Sequence, residues 1–330
     1  MKNRLDRLKT IEIKKFDNKN TVNRSFFDDK SKFPLVVQPV NSGYRLENWL
    51  SENRNQFEKD LQIHGGILFR GFSIDTVERF QNLMDGFSNN LLDYSFRSSP
   101  RFELVNNVYV STTYPKDQII NMHSESSYAP SHPNRIVFCC IIPASVRGET
   151  PIADNRKIIE YLSDDLKRKF YEKGVLYRRN LNGLLGLPWQ EVFQTSDKKK
   201  VEKECKLNEM DFAWGAGEEL VLTWKKKAIW EHPQTNEHTW FNHALFFNKY
   251  MLNSDILDSV TSDDELPNNT FFGDGSSISK KEIEEIKNAY DKATIKFSWE
   301  KGDVLFLDNM LMSHGRNSYE GERKIIVSIS

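Results

Sequence analysis

Two histidines and one glutamate in this chain have the residue types of a metal centre. His123 and Glu125 flank Ser124 in one short segment, and His314 lies far along the chain in the apolar segment 304–314. Two imidazoles and one carboxylate form the facial triad, which holds non-haem Fe(II) and leaves the other coordination positions open. A co-substrate and O₂ bind at those open positions. The residue types therefore predict an oxygen-activating enzyme.

The spacing of His123 and Glu125 has a structural reason. On an extended strand, residues i and i+2 project to the same face, so one short segment can supply two neighbouring ligands. The third ligand must then come from a distant strand. We interpret 304–314 as that strand, with His314 at its end.

The other histidines among the seven in the chain are weaker metal candidates. Four of them stand beside glycine, proline or polar residues that indicate turns: His64, His132, His232 and His238. His243 is flanked by aromatic residues, and we predict that it lines a pocket, with metal binding as the alternative. Asn242 and Arg316 are the other polar groups that we expect near a substrate, with a surface position as the alternative for Arg316.

Two further residues fit the needs of such a centre. Thr150 follows the strand that comes after His123, so its hydroxyl could lie beside the metal. Arg323 stands in a final strand, which we expect to run antiparallel to the strand that carries His314. An arginine there can hold a carboxylate with two hydrogen bonds, which lysine does poorly, and this suits a dicarboxylic keto acid. Lys324 is the alternative for this role.

Composition limits the class of protein. The chain has 330 residues, a formal net charge of -1 and 28% charged residues, so nothing indicates a nucleic-acid groove or a polybasic membrane patch. No apolar stretch approaches the roughly 18 to 20 residues that span a bilayer. Three cysteines without CxxC spacing indicate core thiols rather than disulfides. With no apolar core of the signal-peptide kind at its start, the chain is expected to be cytoplasmic.

The elements that must position these residues follow from periodicity. Residues 1–33 are polar and predict an adaptable N-terminal arm. Helices are predicted within 46–61 and over 76–87, ahead of the strands, because their apolar residues recur at helical spacing.

From residue 109 onward strand patterns dominate, with helices over 156–173 and 280–292, and Ser279 and Glu282 form a predicted capping box. Residues 180–273 are aromatic and irregular. They predict a lid over a substrate, or an insertion that covers a sheet edge.

Several ordered motifs carry a resemblance to a known family over roughly residues 60–330. The motifs are MHSESSY at 122–128, PASVRGETPIADNR at 143–156, WFNH at 240–243, GDVLFLDN at 302–309 and HGR at 314–316. With them the chain resembles the taurine dioxygenase-like superfamily of Fe(II)/2-oxoglutarate oxygenases. Within it, the chain is most similar to the SyrP-like and clavaminate-synthase-like branch, which uses glutamate where most members have aspartate.

The resemblance implies a role for each matched residue. It makes His123, Glu125 and His314 the iron ligands, and Arg323 with Thr150 the residues that hold 2-oxoglutarate. It also implies that O₂ and 2-oxoglutarate are consumed, that succinate and CO₂ are formed, and that an unactivated C–H bond is hydroxylated. Glu125 fills the position that a halide needs in an iron halogenase. No second arginine follows for a sulfonate, since Val327 and Ser328 occupy those places.

The expected fold is mainly β with helical additions, built as one oxygenase domain over 1–330 around a double-stranded β-helix, or jelly-roll, core. The expected substrate is an amino acid or a derivative, free or tethered to a carrier protein, in natural-product biosynthesis. Desaturation or cyclisation is the alternative within the family. A zinc hydrolase that uses the same ligands, and a binding module with a decayed site, are the alternatives from other classes. The oligomeric state stays open.

Overall fold

The structure, a computed structural model, describes most of the chain beyond residue 20. The described residues are 21–28, 30, 32–88, 90–93, 96, 98, 102–183, 185–215, 217, 219–252 and 254–330. Most of the predicted N-terminal arm therefore lies outside them. Its described part corrects the prediction, because Val22–Asp28 is a strand that pairs with Phe33–Pro39 at the edge of the main sheet.

Strands dominate the described residues, as predicted from sequence. The first ten are β1 (Val22–Asp28), β2 (Phe33–Pro39), β3 (Gly66–Phe69), β4 (Glu103–Val105), β5 (Val108–Val110), β6 (Ile120–His123), β7 (Arg135–Ile142), β8 (Val146–Arg147), β9 (Ile152–Asp154) and β10 (Val175–Leu181). The others are β11 (Asp211–Trp214), β12 (Leu220–Lys226), β13 (Ile229–Glu231), β14 (His238–Trp240), β15 (Asn268–Phe272), β16 (Thr294–Ile295), β17 (Val304–Asp308), β18 (Met312–Arg316), β19 (Tyr319–Glu320) and β20 (Lys324–Ile329).

Helices flank the strands. They are α1 (Leu46–Glu52), α2 (Arg54–His64), α3 (Val77–Phe87), α4 (Asn155–Tyr161), α5 (Asp164–Lys173), α6 (Trp189–Phe193), α7 (Lys198–Leu207), α8 (Ser254–Asp258) and α9 (Lys280–Ala293). The predicted helix over 156–173 is two helices, because the Ser163 side chain caps a new start by accepting the Leu166 N–H. The capping box of Ser279 and Glu282 is confirmed. No helix within the described ranges is long and apolar enough to cross a membrane.

The core is a sandwich of two sheets. The larger has the order β1-β2-β3-β17-β7-β20-β5-β4, and the smaller has the order β16-β9-β18-β6. Apolar residues of both sheets form one cluster, among them Phe138 and Leu305 from the larger and Ile152 and Met312 from the smaller. The predicted jelly-roll class is confirmed.

The central strands of the larger sheet are apolar throughout because both of their faces are buried. Along β17, Leu305 and Leu307 face the smaller sheet, whereas Val304 and Phe306 join the cluster under helices α1, α2 and α3. In β7, Cys139 and Cys140 face opposite clusters in the same way. The thiols are core residues, as predicted.

Two predictions about the last strands are wrong. Segment 304–314 is not one strand: β17 lies in the larger sheet, and after a turn at 309–311 the chain enters β18 in the smaller one. The final strand β20 pairs with β7 and β5, not with the strand that carries His314. The chain thus crosses between the sheets on both sides of β18, which places the ends of these strands around one opening.

Most of residues 180–273 is regular rather than irregular. Strands β10, β11, β12 and β15 form an antiparallel sheet, and β13 with β14 forms a hairpin. The alternate residues Leu220, Leu222 and Trp224 of β12 are buried in a separate core cluster with Trp240. We call this unit, residues 175–273, the insertion.

Candidate metal centre

The structure brings the three predicted metal ligands together. His123 is the last residue of β6, and His314 is its direct partner on the antiparallel strand β18. Their ring centroids are 4.5 Å apart. Glu125 completes the group, and one ligand atom from each residue lies within 4.8 Å of the others. Within the described residues, these three alone form such a group.

Glu125 reaches this position from a turn and not from the strand. Strand β6 ends at His123, and the chain turns at once, with Ser126 in the left-handed region at φ 54°. The same-face argument for i and i+2 therefore does not describe this segment. The turn is held from outside, because the Glu125 N–H donates to Oδ1 of Asn309 at 2.7 Å.

The orientation of His123 suits a metal ligand. Its Nδ1 lies 2.8 Å from the carbonyl oxygen of Asn121, so that nitrogen carries the proton and donates to the carbonyl. The other nitrogen, Nε2, is then free of a proton and able to bind a metal. The ring is further fixed against Phe246, with centroids 4.6 Å apart.

A cavity of about 270 Å³ opens onto the three residues. The sandwich supplies one part of its lining: Ser111, Thr112, Tyr114, Ile119, Ile120, Asn121, Phe138, Thr150, Gly315, Arg316 and Arg323. The insertion supplies the opposite wall, which is mainly apolar: His243, Phe246, Phe247, Met251, Leu252, Ile256 and Asn268. Of the predicted lid, 180–273, the described residues that line the cavity all fall between 243 and 268.

Arg323 and Thr150 meet at the end of the cavity formed by the sandwich. Arg323 donates from Nη2 to Oγ1 of Thr150 at 3.2 Å and from Nε to the Gly148 carbonyl oxygen at 2.8 Å. The Trp299 indole N–H also donates to Thr150, at 3.1 Å. Burial, together with the positive charge of Arg316, lowers the pKa of Arg323 to about 10. This guanidinium is therefore short of negative charge, which a bound carboxylate would supply.

Lys324 does not share this position. It is the first residue of β20, it is absent from the described lining of the cavity, and its charge is felt by Glu78 on α3. Of the two basic neighbours, Arg323 faces the cavity.

Arg316 lines the cavity, but its hydrogen bonds serve the protein. It is 3% exposed, so the alternative of a surface position is wrong. Its Nη1 donates to the Tyr114 carbonyl oxygen at 2.7 Å, and its Nη2 donates to those of Pro115 and Gln118, both at 2.5 Å. Arg316 therefore anchors the loop 111–119, which forms one side of the cavity mouth.

His243 lies in the cavity wall as predicted from sequence, beside the three-residue group but not in it. Its Nδ1 is 2.6 Å from Oγ of Ser127, and its ring centroid is 5.7 Å from that of His123. Burial, and then the basic neighbours His123, Lys226 and Arg179, hold the pKa of His243 well below its usual range. It is therefore a neutral hydrogen-bonding group.

Asn242 and the remaining histidines have other positions. The Asn242 amide donates to the Ala228 carbonyl oxygen and accepts from the Ala244 N–H, and Asn242 is not among the described residues of the lining. His232 pairs with Asp308 at 3.2 Å. Neither it nor His64, His132 or His238 belongs to the described metal-binding group.

Comparisons with known proteins match almost the whole chain. The model of the family described as "Taurine catabolism dioxygenase TauD, TfdA family" matches residues 32–329. The dapdiamide synthesis protein DdaC of Enterobacter agglomerans is 34% identical over 280 residues, which cover 84% of this chain and 85% of that protein. A clavaminate synthase-like protein of Arabidopsis thaliana is 24% identical over 322 residues, covering 91% and 94%.

A solved structure has the same fold at low identity. The crystal structure of PvcB from Pseudomonas aeruginosa superposes with a TM-score of 0.57 at 11% identity, covering 94% of this chain and 91% of that one. At this identity the likeness concerns the fold alone.

Proposed function

The chain belongs to the TauD, TfdA family of Fe(II)/2-oxoglutarate-dependent dioxygenases, and from this premise we propose that it hydroxylates an unactivated C–H bond of an amino acid or an amino-acid derivative. The observation that carries the proposal is the convergence of two imidazoles, one carboxylate and a partly buried arginine on a single cavity. The printed name of the 34% identical relative, a dapdiamide synthesis protein, supports a role in natural-product biosynthesis.

His123, Glu125 and His314 are the proposed iron ligands. Two imidazoles and a carboxylate would suit Fe(II), and three protein ligands would leave room for 2-oxoglutarate and O₂. Bound iron supplies the oxidation chemistry: 2-oxoglutarate and O₂ give succinate and CO₂, and one oxygen atom of O₂ enters the substrate as a hydroxyl group. The protein contributes ligand geometry and a site closed to bulk water.

Arg323 and Thr150 are the proposed partners of the distal carboxylate of 2-oxoglutarate. The guanidinium uses Nε and Nη2 within the protein, which leaves Nη1 without a partner among the described residues. A carboxylate that approaches from the cavity can accept from this group and from the Thr150 hydroxyl. Phe138 also lines the cavity, and its ring packs against the His314 ring with centroids 5.1 Å apart.

The insertion is the proposed substrate wall. Phe246, Phe247 and Leu252 give it an apolar surface, and His243 adds one neutral polar group near the iron ligands. Such a wall orients an aliphatic chain, and it excludes the water that would otherwise compete at the oxidised carbon. The cavity mouth near Tyr114, which is 50% exposed, would admit a free substrate or one tethered to a carrier.

Desaturation or cyclisation would need the same groups, and product analysis distinguishes them from hydroxylation. A zinc hydrolase would need the three metal ligands but would leave Arg323 and its partner Thr150 in the cavity without a role.

The deciding experiment is an anaerobic incubation of the chelator-treated protein with Fe(II), 2-oxoglutarate and a panel of free and acylated amino acids, followed by exposure to air. Substrate-dependent succinate is expected with Fe(II) and not with Zn(II). His123→Ala, Glu125→Ala and His314→Ala should each abolish it. Turnover with Zn(II), or near-parental turnover by one of these variants, would contradict the proposal for the metal or for that residue.

A further inference from the structure

We propose that two buried asparagines, Asn155 and Asn309, are positioning residues that hold the three candidate iron ligands in place without touching the metal. The inference rests on the proposed function, since it takes His123, Glu125 and His314 as the ligands. Asn155 and Asn309 are each 0% exposed. Each uses its side-chain amide to join segments that are remote in sequence.

Asn309 binds the backbone of Glu125 at both of its polar groups. Oδ1 of Asn309 accepts the Glu125 N–H at 2.7 Å, and Nδ2 donates to the Glu125 carbonyl oxygen at 2.9 Å. The same Nδ2 donates to the Pro133 carbonyl oxygen at 2.9 Å. An amide offers an acceptor and donors in one plane, which a carboxylate or a hydroxyl does not. Since Glu125 lies beyond the end of β6, this amide takes the place of a strand neighbour.

The turn that carries Asn309 is itself fixed. Oδ1 of Asp308 accepts the N–H groups of Met310 and Leu311, both at 3.0 Å. Its other oxygen accepts from Nε2 of His232 at 3.2 Å. The Gln234 and Thr235 N–H groups both donate to Nδ1 of His232, so the proton of this imidazole is on Nε2. The insertion thereby supports the turn that holds Glu125.

Asn155 joins the two ligand segments on the side away from the cavity. Its Nδ2 donates to Oγ of Ser124 at 3.0 Å and to the Met310 carbonyl oxygen at 2.8 Å. Its Oδ1 accepts from the Ser313 hydroxyl at 2.6 Å. Ser124 stands between His123 and Glu125, and Ser313 immediately precedes His314. The two serine oxygens are themselves 3.1 Å apart.

These contacts explain how ligands from two segments keep one geometry. On β18 neighbouring side chains point to opposite faces, so Ser313 is held in the interior while His314 faces the cavity. Ser124, in the turn between the other two ligands, is also buried. Removing Asn309 would release the backbone of Glu125, and removing Asn155 would release the side chains of Ser124 and Ser313 beside the ligands. Either change would leave buried polar groups unpaired. Loss of a group that orients metal ligands typically weakens metal binding about 10- to 100-fold.

The test measures Mn(II) binding, which needs neither substrate nor turnover. Chelator-treated parent, Asn309→Ala and Asn155→Ala are titrated with Mn(II), and free Mn(II) is followed by electron paramagnetic resonance. The absorption spectrum of the Co(II) forms reports ligand geometry, and the melting temperature of each metal-free protein reports the fold. His314→Ala, which lacks a ligand, marks the loss of the site.

Asn180→Ala is the matched control. Asn180 is a buried asparagine whose Nδ2 donates to the Asp264 and Leu266 carbonyl oxygens, in the insertion and outside the described lining of the cavity. It should lower the melting temperature and leave the Mn(II) dissociation constant unchanged. Asn309→Ala and Asn155→Ala should raise that constant about 10- to 100-fold and change the Co(II) spectrum.

Three outcomes would overturn the inference, and they are distinguishable. If the asparagine variants lose thermal stability like Asn180→Ala but bind Mn(II) within about twofold of the parent, the asparagines serve the fold alone. If they do not fold, Ser313→Ala, which removes a single hydroxyl, decides: parental affinity and spectrum overturn the proposal for Asn155. If the parent binds no more Mn(II) than His314→Ala, the proposed metal site fails, and this inference fails with it.

Discussion

Arg323 shows how one residue can be prepared for an anion. Its guanidinium is partly buried, lies near a second arginine and has its pKa lowered to about 10, yet its hydrogen-bond partners among the described residues are neutral oxygens of Thr150 and Gly148. A buried cation without a counter-charge is costly. A carboxylate that binds here supplies the missing counter-charge, so much of its binding free energy should come from Arg323.

Substitution of Arg323 should weaken 2-oxoglutarate binding. We expect Arg323→Ala to raise the apparent dissociation constant about tenfold to more than a hundredfold, which corresponds to roughly 1.5 to 3 kcal/mol. Arg323→Lys should recover only part of this, because an ammonium group cannot make the two parallel bonds. Titration of the Fe(II) protein with 2-oxoglutarate under anaerobic conditions measures this dissociation constant. Lys324→Ala is the control, and a loss confined to that variant would reverse the two roles.

Lys226 gives a pH-dependent stability with a definite sign. Burial lowers its pKa to about 8, although it donates to the Ala129 carbonyl oxygen. Between pH 8 and about 10.5 the unfolded chain therefore binds a proton that the folded protein has released. The free energy of unfolding should then rise with pH over this range, by at most about 1.4 kcal/mol per unit.

The prediction for Lys226 is measured as a difference. Urea unfolding of the parent and of Lys226→Met is compared at pH 7, 8, 9 and 10, so that other groups cancel. The exposed neighbour, in Lys225→Met, serves as the control. If the difference in free energy of unfolding between parent and variant does not change with pH above 8, burial does not lower the pKa of Lys226.

At the scale of elements, the sequence predicted the metal-binding residue types but not the turns that bring them together. The residue types of His123, Glu125 and His314, and the helical and capping patterns of α3 and α9, could be read directly. Segment 304–314 was mistaken for one strand because both of its halves are buried and apolar. Asp308 and Asn309 are turn-forming residues, and they were the available signal for the break.

The hydrogen bonds between the Asn309 side chain and the Glu125 backbone could not be predicted from the sequence. It joins residues 184 positions apart in sequence, and no local pattern specifies such a bond. Residues 180–273 show no regular pattern for a related reason: strands β10, β12 and β15 are neighbours in the sheet but separated along the chain. Pairing between distant segments is set by packing, which periodicity alone does not show.

Gly65, at the end of helix α2, lies against β18, the strand that carries His314, and a substitution tests this close contact. It ends α2 with φ 68°, and a Cβ there would lie 2.3 Å from Sδ of Met312 on β18. Gly65→Ala should therefore cost about 1 kcal/mol for the left-handed backbone and roughly 1 to 3 kcal/mol more for the overlap. Gly43→Ala is the matched control, with φ 91° and nothing within 4 Å. Equal losses in urea unfolding would show that Met312 moves aside freely.

For the molecule as a whole, the cavity joins two separately packed units. The sandwich and the insertion have their own core clusters, and both line the cavity. A ligand that fills it binds only the folded protein and stabilises it by mass action, by about 2.7 kcal/mol at a hundred times its dissociation constant.

Metal and co-substrate should therefore stabilise the protein together. We expect Mn(II) with N-oxalylglycine, a stable analogue of 2-oxoglutarate, to raise the melting temperature more than either alone, in calorimetry. In Arg323→Ala, Mn(II) should raise the melting temperature as it does in the parent, whereas most of the further rise from N-oxalylglycine should be lost. If N-oxalylglycine raises the melting temperature of Arg323→Ala as much as that of the parent, the analogue binds elsewhere.

The division of the cavity between two units has a consequence for how such enzymes diversify. Every proposed iron and 2-oxoglutarate residue belongs to the sandwich, whereas His243, the aromatic pair beside it and Met251 belong to the insertion. Mutations at Met251, Leu252 and Ile256 can alter which molecule fits, whereas Phe246 packs on the ring of the proposed ligand His123. With the insertion as the proposed substrate wall, exchanging these three residues between relatives would change substrate range while the sequence of the proposed iron ligands stays the same.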